Sequence, residues 1–169
     1  MIFKNVTGQS YQMFPTAVSN PNDPANAIVS TRQISGNKIV FLSGTIPAKA
    51  EALAATKASI LASGNILGTT PTFDLTYTYD VTTKKRIIRK SIIDALEFTY
   101  SQAGTIGYAA IILNDPDSGK DCIIFTDSIG TWGQNQMPII IDNKIGTVGS
   151  KNIFKNISIE LTDKSSLAV

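Results

Sequence analysis

The chain has no histidine and a single cysteine in 169 residues. Histidine is the usual proton shuttle near neutral pH and the commonest metal ligand. Its absence excludes a Ser-His-Asp triad, a Cys-His pair and any zinc site with a histidine ligand. Cys122 alone excludes an intrachain disulfide and a multi-cysteine metal site. Its setting, Asp121-Cys122-Ile123-Ile124-Phe125, predicts a buried thiol acting as a small hydrophobe. Charge is scarce as well: charged residues are 17% of the chain and the formal net charge is +2, too small to point to nucleic acid. No apolar run approaches the roughly 20 residues that span a bilayer, so no membrane partner is expected. The opening Met1-Ile2-Phe3-Lys4-Asn5 lacks the basic and apolar segments of an export signal, and the expectation is a soluble protein made in a cytoplasm.

What the chain does have is a succession of short β-like runs. Residues 1–37 carry Pro15, Pro21 and Pro24 with many Asn and Ser, and show no sustained period of 2 or 3.6. That composition predicts an extended N-terminal arm, held by its own domain or by a neighbouring subunit. The folded body, residues 38–169, is expected to open with a strand at Lys38–Ser43. A short helix is predicted in Pro47–Lys57, where Pro sits at the tolerant first turn and alanines follow. Ala58–Ile66 reads as a second strand.

From Thr72 the pattern alternates: Phe73, Leu75, Tyr77 and Tyr79 on one face, Asp74, Thr76, Thr78 and Asp80 on the other. Leu96, Phe98 and Tyr100 alternate again. Ile106–Leu113 and Asp121–Thr126 flank a turn-rich Asn114–Lys120, the pattern of a β-hairpin. Met137–Ile141 gives a short apolar strand. Asn152–Leu161 closes the body, with Ile153, Lys155, Ile157 and Ile159 predicted on one face. The whole predicts a mainly β, single-domain antiparallel β-sandwich or jelly roll with one short helix.

Candidate functional residues are few. Lys84, Lys85, Arg86, Arg89 and Lys90 form the one clear charge run, either a patch for an acidic partner or a solvated strand edge that blocks stray pairing. No aromatic residue interleaves it, which counts against nucleic acid. Asp115, Asp117 and Asp121 partly echo a calcium loop but lack its glycine position and closing glutamate, and a hairpin turn selects the same residues. Trp132, in Gly130–Gln136, could stack on a sugar, anchor a protein contact or plug the end of the sandwich. Gly146–Lys151 lacks the spacing of a phosphate loop, and Asp94 with Glu97 is a carboxylate pair with nothing to place it in a cleft. No catalytic, cofactor-binding or metal-binding residue is therefore assigned, no cofactor is expected, and the chain is not expected to be an enzyme.

The stretch Ile39-Val40-Phe41-Leu42-Ser43-Gly44-Thr45-Ile46-Pro47-Ala48-Lys49-Ala50-Glu51-Ala52 resembles the opening of a group of small phage-encoded proteins, a strand followed by a Gly-Thr-x-Pro-Ala-x-Ala turn. Ser101–Leu113, the Asp117-Ser118-Gly119 turn, Asp127–Thr131 and the alternating last strand are similar to their second half. The resemblance covers roughly 39–66 and 101–162; residues 69–95 and 1–37 depart from it as an insertion and an added arm. It implies a virion structural protein of tailed bacteriophages, located on the particle as a capsid decoration or another head-associated component. The implied partners are other virion proteins and further copies in a homo-oligomer. The competing expectation is a tail-associated module that recognises host surface glycan through Trp132.

Overall fold

The computed structural model describes residues 2–6, 29–80, 85–90, 95–114, 122–134 and 137–162, with side chains for 35–48, 50–52, 54–76, 95–114, 123–134 and 137–157. It is mainly β, with antiparallel pairing throughout except at one contact, and is consistent with a β-sandwich.

The strands are β1 (Ile2–Val6), β2 (Val29–Leu42), β3 (Ile66–Thr69), β4 (Phe73–Asp80), β5 (Lys85–Lys90), β6 (Leu96–Thr99) and β7 (Gly104–Thr105). They continue as β8 (Tyr108–Leu113), β9 (Cys122–Thr126), β10 (Ile129–Thr131), β11 (Ile139–Ile141), β12 (Ile145–Gly146) and β13 (Lys151–Thr162). One layer runs β1-β9-β8-β2-β3; the other runs β2-β4-β5-β13-β11-β10, with β6 also on β13. β12 and β7 form a separate small ribbon.

β2 belongs to both layers. Its first part, Val29–Ile34, pairs with β4, and its last part, Lys38–Leu42, pairs with β8. The change of layer falls at Gly36, whose φ of 84° favours a residue without Cβ. Asn37, fully buried, fastens the corner: its Nδ2 donates to Phe73 O at 3.0 Å, and its Oδ1 accepts from Asn114 N at 3.1 Å. Asn114 Nδ2 also donates to Ser35 O at 2.9 Å. The strand thus begins at Val29, and the predicted arm region contributes β1 and the first part of β2.

The layer containing β8 is apolar on both faces, as a doubly covered sheet requires. Ile39, Phe41, Ala109, Ile111, Leu113 and Ile124 pack against Phe73, Leu75, Phe98, Phe154 and Ile157 of the opposite layer. Phe41 and Phe98 stack at 4.6 Å between centroids, across from the β3 backbone at Gly68. On the other face, Val40, Leu42, Ala110, Ile112, Ile123 and Phe125 pack against Ala52 and Ile60 of two short helices.

Those helices are α1 (Lys49–Ala54) and α2 (Lys57–Leu61). The predicted helix is present in its middle and the predicted strand Ala58–Ile66 is not: α2 occupies its start, and β3 begins only at Ile66. The reason is a reciprocal cap, in which Thr56 Oγ1 accepts from Ser59 N at 3.1 Å and Ser59 Oγ accepts from Thr56 N at 2.9 Å. At six and five residues neither helix would persist alone, and burial of Ala52 and Ile60 supplies what propensity cannot. Among the described residues no helix is long and apolar enough to cross a membrane.

Candidate functional site

The surface feature with the most chemistry lies where β10, β11 and β13 meet. β10 and β11 run parallel, Ile129 opposite Ile139 and Thr131 opposite Ile141, and both are anchored by buried isoleucines. Between them the chain turns at Trp132–Gln134. The turn is tied from both sides: Gln134 N donates to Thr131 O at 2.9 Å, and Thr131 N donates to Gln134 Oε1 at 3.0 Å. Gly133 supplies the left-handed residue, φ 100°. Trp132 is therefore held outward, 66% exposed, with Met137 partly exposed in the same loop. The reading in which this indole plugs the end of the sandwich is overturned by its exposure; the flanking strands bury Ile129, Ile139 and Ile141 in the core instead.

β13 reaches this site through an irregularity. Ile140 pairs with Asn156 and Ile141 with Phe154, so Lys155 has no opposite number and forms a bulge. A bulged residue breaks the period-2 alternation and re-aims its side chain. Phe154 and Ile157 are accordingly both buried, although strict alternation predicts opposite faces for them. Lys155 is turned to the indole, its Nζ 3.7 Å from the ring centroid, and to Asp142 Oδ1 at 2.8 Å. The Lys155 side chain is only 21% exposed, so the cation–π contact is partly desolvated and is worth about 1 kcal/mol.

Asp142 is in turn fixed by Asn152, which is 2% exposed. Asn152 Oδ1 accepts from Asp142 N at 3.1 Å, Asn143 N at 3.3 Å and Ile153 N at 2.8 Å. Its Nδ2 donates to Tyr100 Oη at 3.1 Å and to Asn143 O. Tyr100 Oη donates to Asn143 O at 2.9 Å, closing the network. Burial raises the Tyr100 phenol above its usual range, with the Asn152 hydrogen bond pulling partly back, so the hydroxyl stays a donor at neutral pH. The result is an indole plate with an ammonium on one face, the rest open to solvent, and a positioned carboxylate beside it. Such a plate can stack on a partner and offer hydrogen bonds to it.

Hollows among the described residues lie elsewhere too. One of about 150 Å³ sits under the helices, bounded by Leu42, Pro47, Glu51, Ile60, Tyr108 and Phe125; burial, then the Glu51 carboxylate, raise the Tyr108 phenol. A broader depression over β3 and β6, lined by Lys38, Thr70, Glu97 and Phe98, is open to solvent.

The other sequence candidates do not gather at the indole. Lys85, Arg86, Arg89 and Lys90 lie on β5, which is paired on both sides, with β4 and with β13, so the strand-edge reading is corrected: β5 is interior to its layer. Lys84, Asp94, Asp115, Asp117 and Asp121 lie outside the described residues. Cys122 stands on β9 opposite Leu113 and Val6. Glu97 is at the surface in an ion pair with Lys151 at 2.7 Å, both largely exposed. Gly146–Lys151 forms a turn tied to itself, Ser150 Oγ donating to Thr147 O at 2.7 Å. Among the described residues no cluster of three or more Cys, Asp or Glu could hold a metal ion.

Lys155 and Asp142 are not among the sequence candidates. Their only signal is a lysine in the middle of an otherwise apolar face of the last strand. No family model, curated protein or solved structure matches this chain.

Proposed function

We propose that this chain is a non-enzymatic structural protein of a tailed-bacteriophage particle, assembling on the head as a capsid decoration or related component. The reading describes the body as a β-sandwich or jelly roll, residues 1–37 as an arm reaching a neighbour, and the partners as other virion proteins and further copies of the chain. The observation that carries it is Trp132: a large apolar plate held outward by a tied turn and a bulge-directed lysine. Rigid exposed indoles are favoured anchors of protein interfaces, where truncation costs about 2 kcal/mol or more. The strand-and-turn resemblance at Ile39–Ala52 supports the same reading.

A second reading shares the observation: the indole plate beside Asp142 would serve a tail-associated module that stacks on host surface glycan. One comparison separates them. Trp132→Ala is expected to reduce incorporation into purified particles while leaving the free protein folded. Glycan-array binding that Trp132→Ala abolishes, with incorporation unchanged, would establish the second reading. A mass-spectrometric inventory of particles in which the chain is absent would refute both.

A further inference from the structure

Among the described residues, β1 is joined to its sheet on one side only. Ile2–Val6 pairs antiparallel with β9, from Ile2 opposite Thr126 to Val6 opposite Cys122, and β1 is the terminal strand of its layer. On its other side β9 pairs with β8, so β1 is what caps the β9 edge. That edge cannot be left bare: Ile123, Ile124 and Phe125 belong to the two cores, and an uncovered apolar edge strand is a template for another chain. Between Val6 and Val29 lie residues 7–28. A tether of that length can span up to about 70 Å when extended, which reaches an adjoining copy of a molecule this size.

We infer that the β9 edge is a strand-exchange site for a second copy of this chain, which receives that copy's Ile2–Val6 in the same register. The backbone hydrogen bonds are identical whether the strand comes from its own body or from a neighbour. The choice between the two is therefore set by concentration rather than by contact quality. A tethered strand competes at an effective concentration on the order of millimolar, and a close-packed array of copies exceeds that. A reciprocal pair leaves neither β9 edge open, so a closed dimer, and not an open chain of copies, is the exchanged form expected in solution. The inference concerns the purified chain and does not depend on the virion assignment.

The register provides the test, because Val6 is paired in register with the lone cysteine, Cys122. Cross-strand Cα atoms stand about 4.5–5.5 Å apart, within the span a disulfide bridges. A size-tagged Val6→Cys, Cys122→Ser chain is mixed with the untagged natural chain and oxidised at total concentrations from about 10 μM to about 1 mM. Exchange gives a covalent tagged–untagged product, in which the introduced thiol of one chain is linked to Cys122 of the other. Its ratio to unlinked chain is expected to rise about tenfold for each tenfold rise in concentration while exchange is the minor state. The single variant Val6→Cys, which keeps Cys122, is oxidised in parallel as the control on register. An intrachain bond between the introduced thiol and Cys122 in that control, with no cross-chain product at any concentration, overturns the inference. Failure of the control to form that bond, within one chain or between two, overturns it too, since the shared register is then wrong.

Discussion

Replacing Asn152 by alanine should be among the most damaging single changes at the surface end of β13. The amide oxygen serves three backbone N–H groups, and the amide nitrogen serves Tyr100 Oη and Asn143 O. Asp142 N keeps a second acceptor, Ile153 O at 3.1 Å, and Asn143 O keeps the Tyr100 hydroxyl. That leaves Asn143 N and Ile153 N without their partner, and each such buried or half-buried donor costs about 1–3 kcal/mol. Asn143 is exposed, so water recovers part of the loss there. The sum is about 3 kcal/mol, against a total stability of about 5–15 kcal/mol for a domain. In a chain of this size it lowers Tm by roughly 6–12 °C. Tyr100→Phe removes one donor whose acceptor keeps another partner, and should cost about 1 kcal/mol. Because the Asn152 Nδ2–Tyr100 Oη bond is already broken by either single variant, and water reaches the exposed Asn143 when both donors are gone, the double variant should lose less than the sum of the singles by at least about 0.5 kcal/mol. Urea unfolding of the four proteins measures all three quantities. A loss below about 1 kcal/mol for Asn152→Ala, or strict additivity, would refute the network as the support of the Asp142 corner.

Gly36→Ala places a Cβ at φ 84°, 3.1 Å from Asn114 Nδ2, and should destabilise by about 1–2 kcal/mol in urea; Gly36→Asn, which tolerates that backbone, should cost less. Lys155→Met removes the ammonium from the indole; acrylamide quenching of the single tryptophan should increase, while stability changes by less than about 1 kcal/mol. Tyr100 and Tyr108 both have phenols raised above 10.0, each chiefly by burial. Their contribution to stability is complete below pH 10, where neither folded nor unfolded phenol is ionised. It is lost as pH rises further, because the unfolded chain ionises first. Alkaline titration at the tyrosinate absorbance should therefore show two late phenols; if all five tyrosines titrate together, the burial account of these two fails.

The strands most visible in the sequence were those with one wet and one dry face. In β4, Phe73 and Leu75 are buried and Asp74 is exposed, as alternation predicts, and Ile106–Leu113 with Asp121–Thr126 does hold a hairpin pair, β8 with β9. Ala58–Ile66 misleads because a short apolar run reads alike as helix or strand, and what decides it is a pair of hydroxyls one helical turn apart, Thr56 and Ser59. The candidate site was half legible. Trp132 stands out by residue type alone, but its exposure follows from the Thr131–Gln134 turn that holds it outward. Lys155 was hidden because a bulge is a property of two strands together: only the partner β11, earlier in the chain at Ile141, reveals that Lys155 is the unmatched residue.

A strand shared by two layers has a dynamic cost as well as a geometric role. Since β2 pairs with β4 as far as Asn37 and with β8 from Lys38 onward, peeling either layer loosens the other. Amide protons of β4 and β8 should then exchange with deuterium through one common opening, at matched rates, instead of as two separately melting sheets.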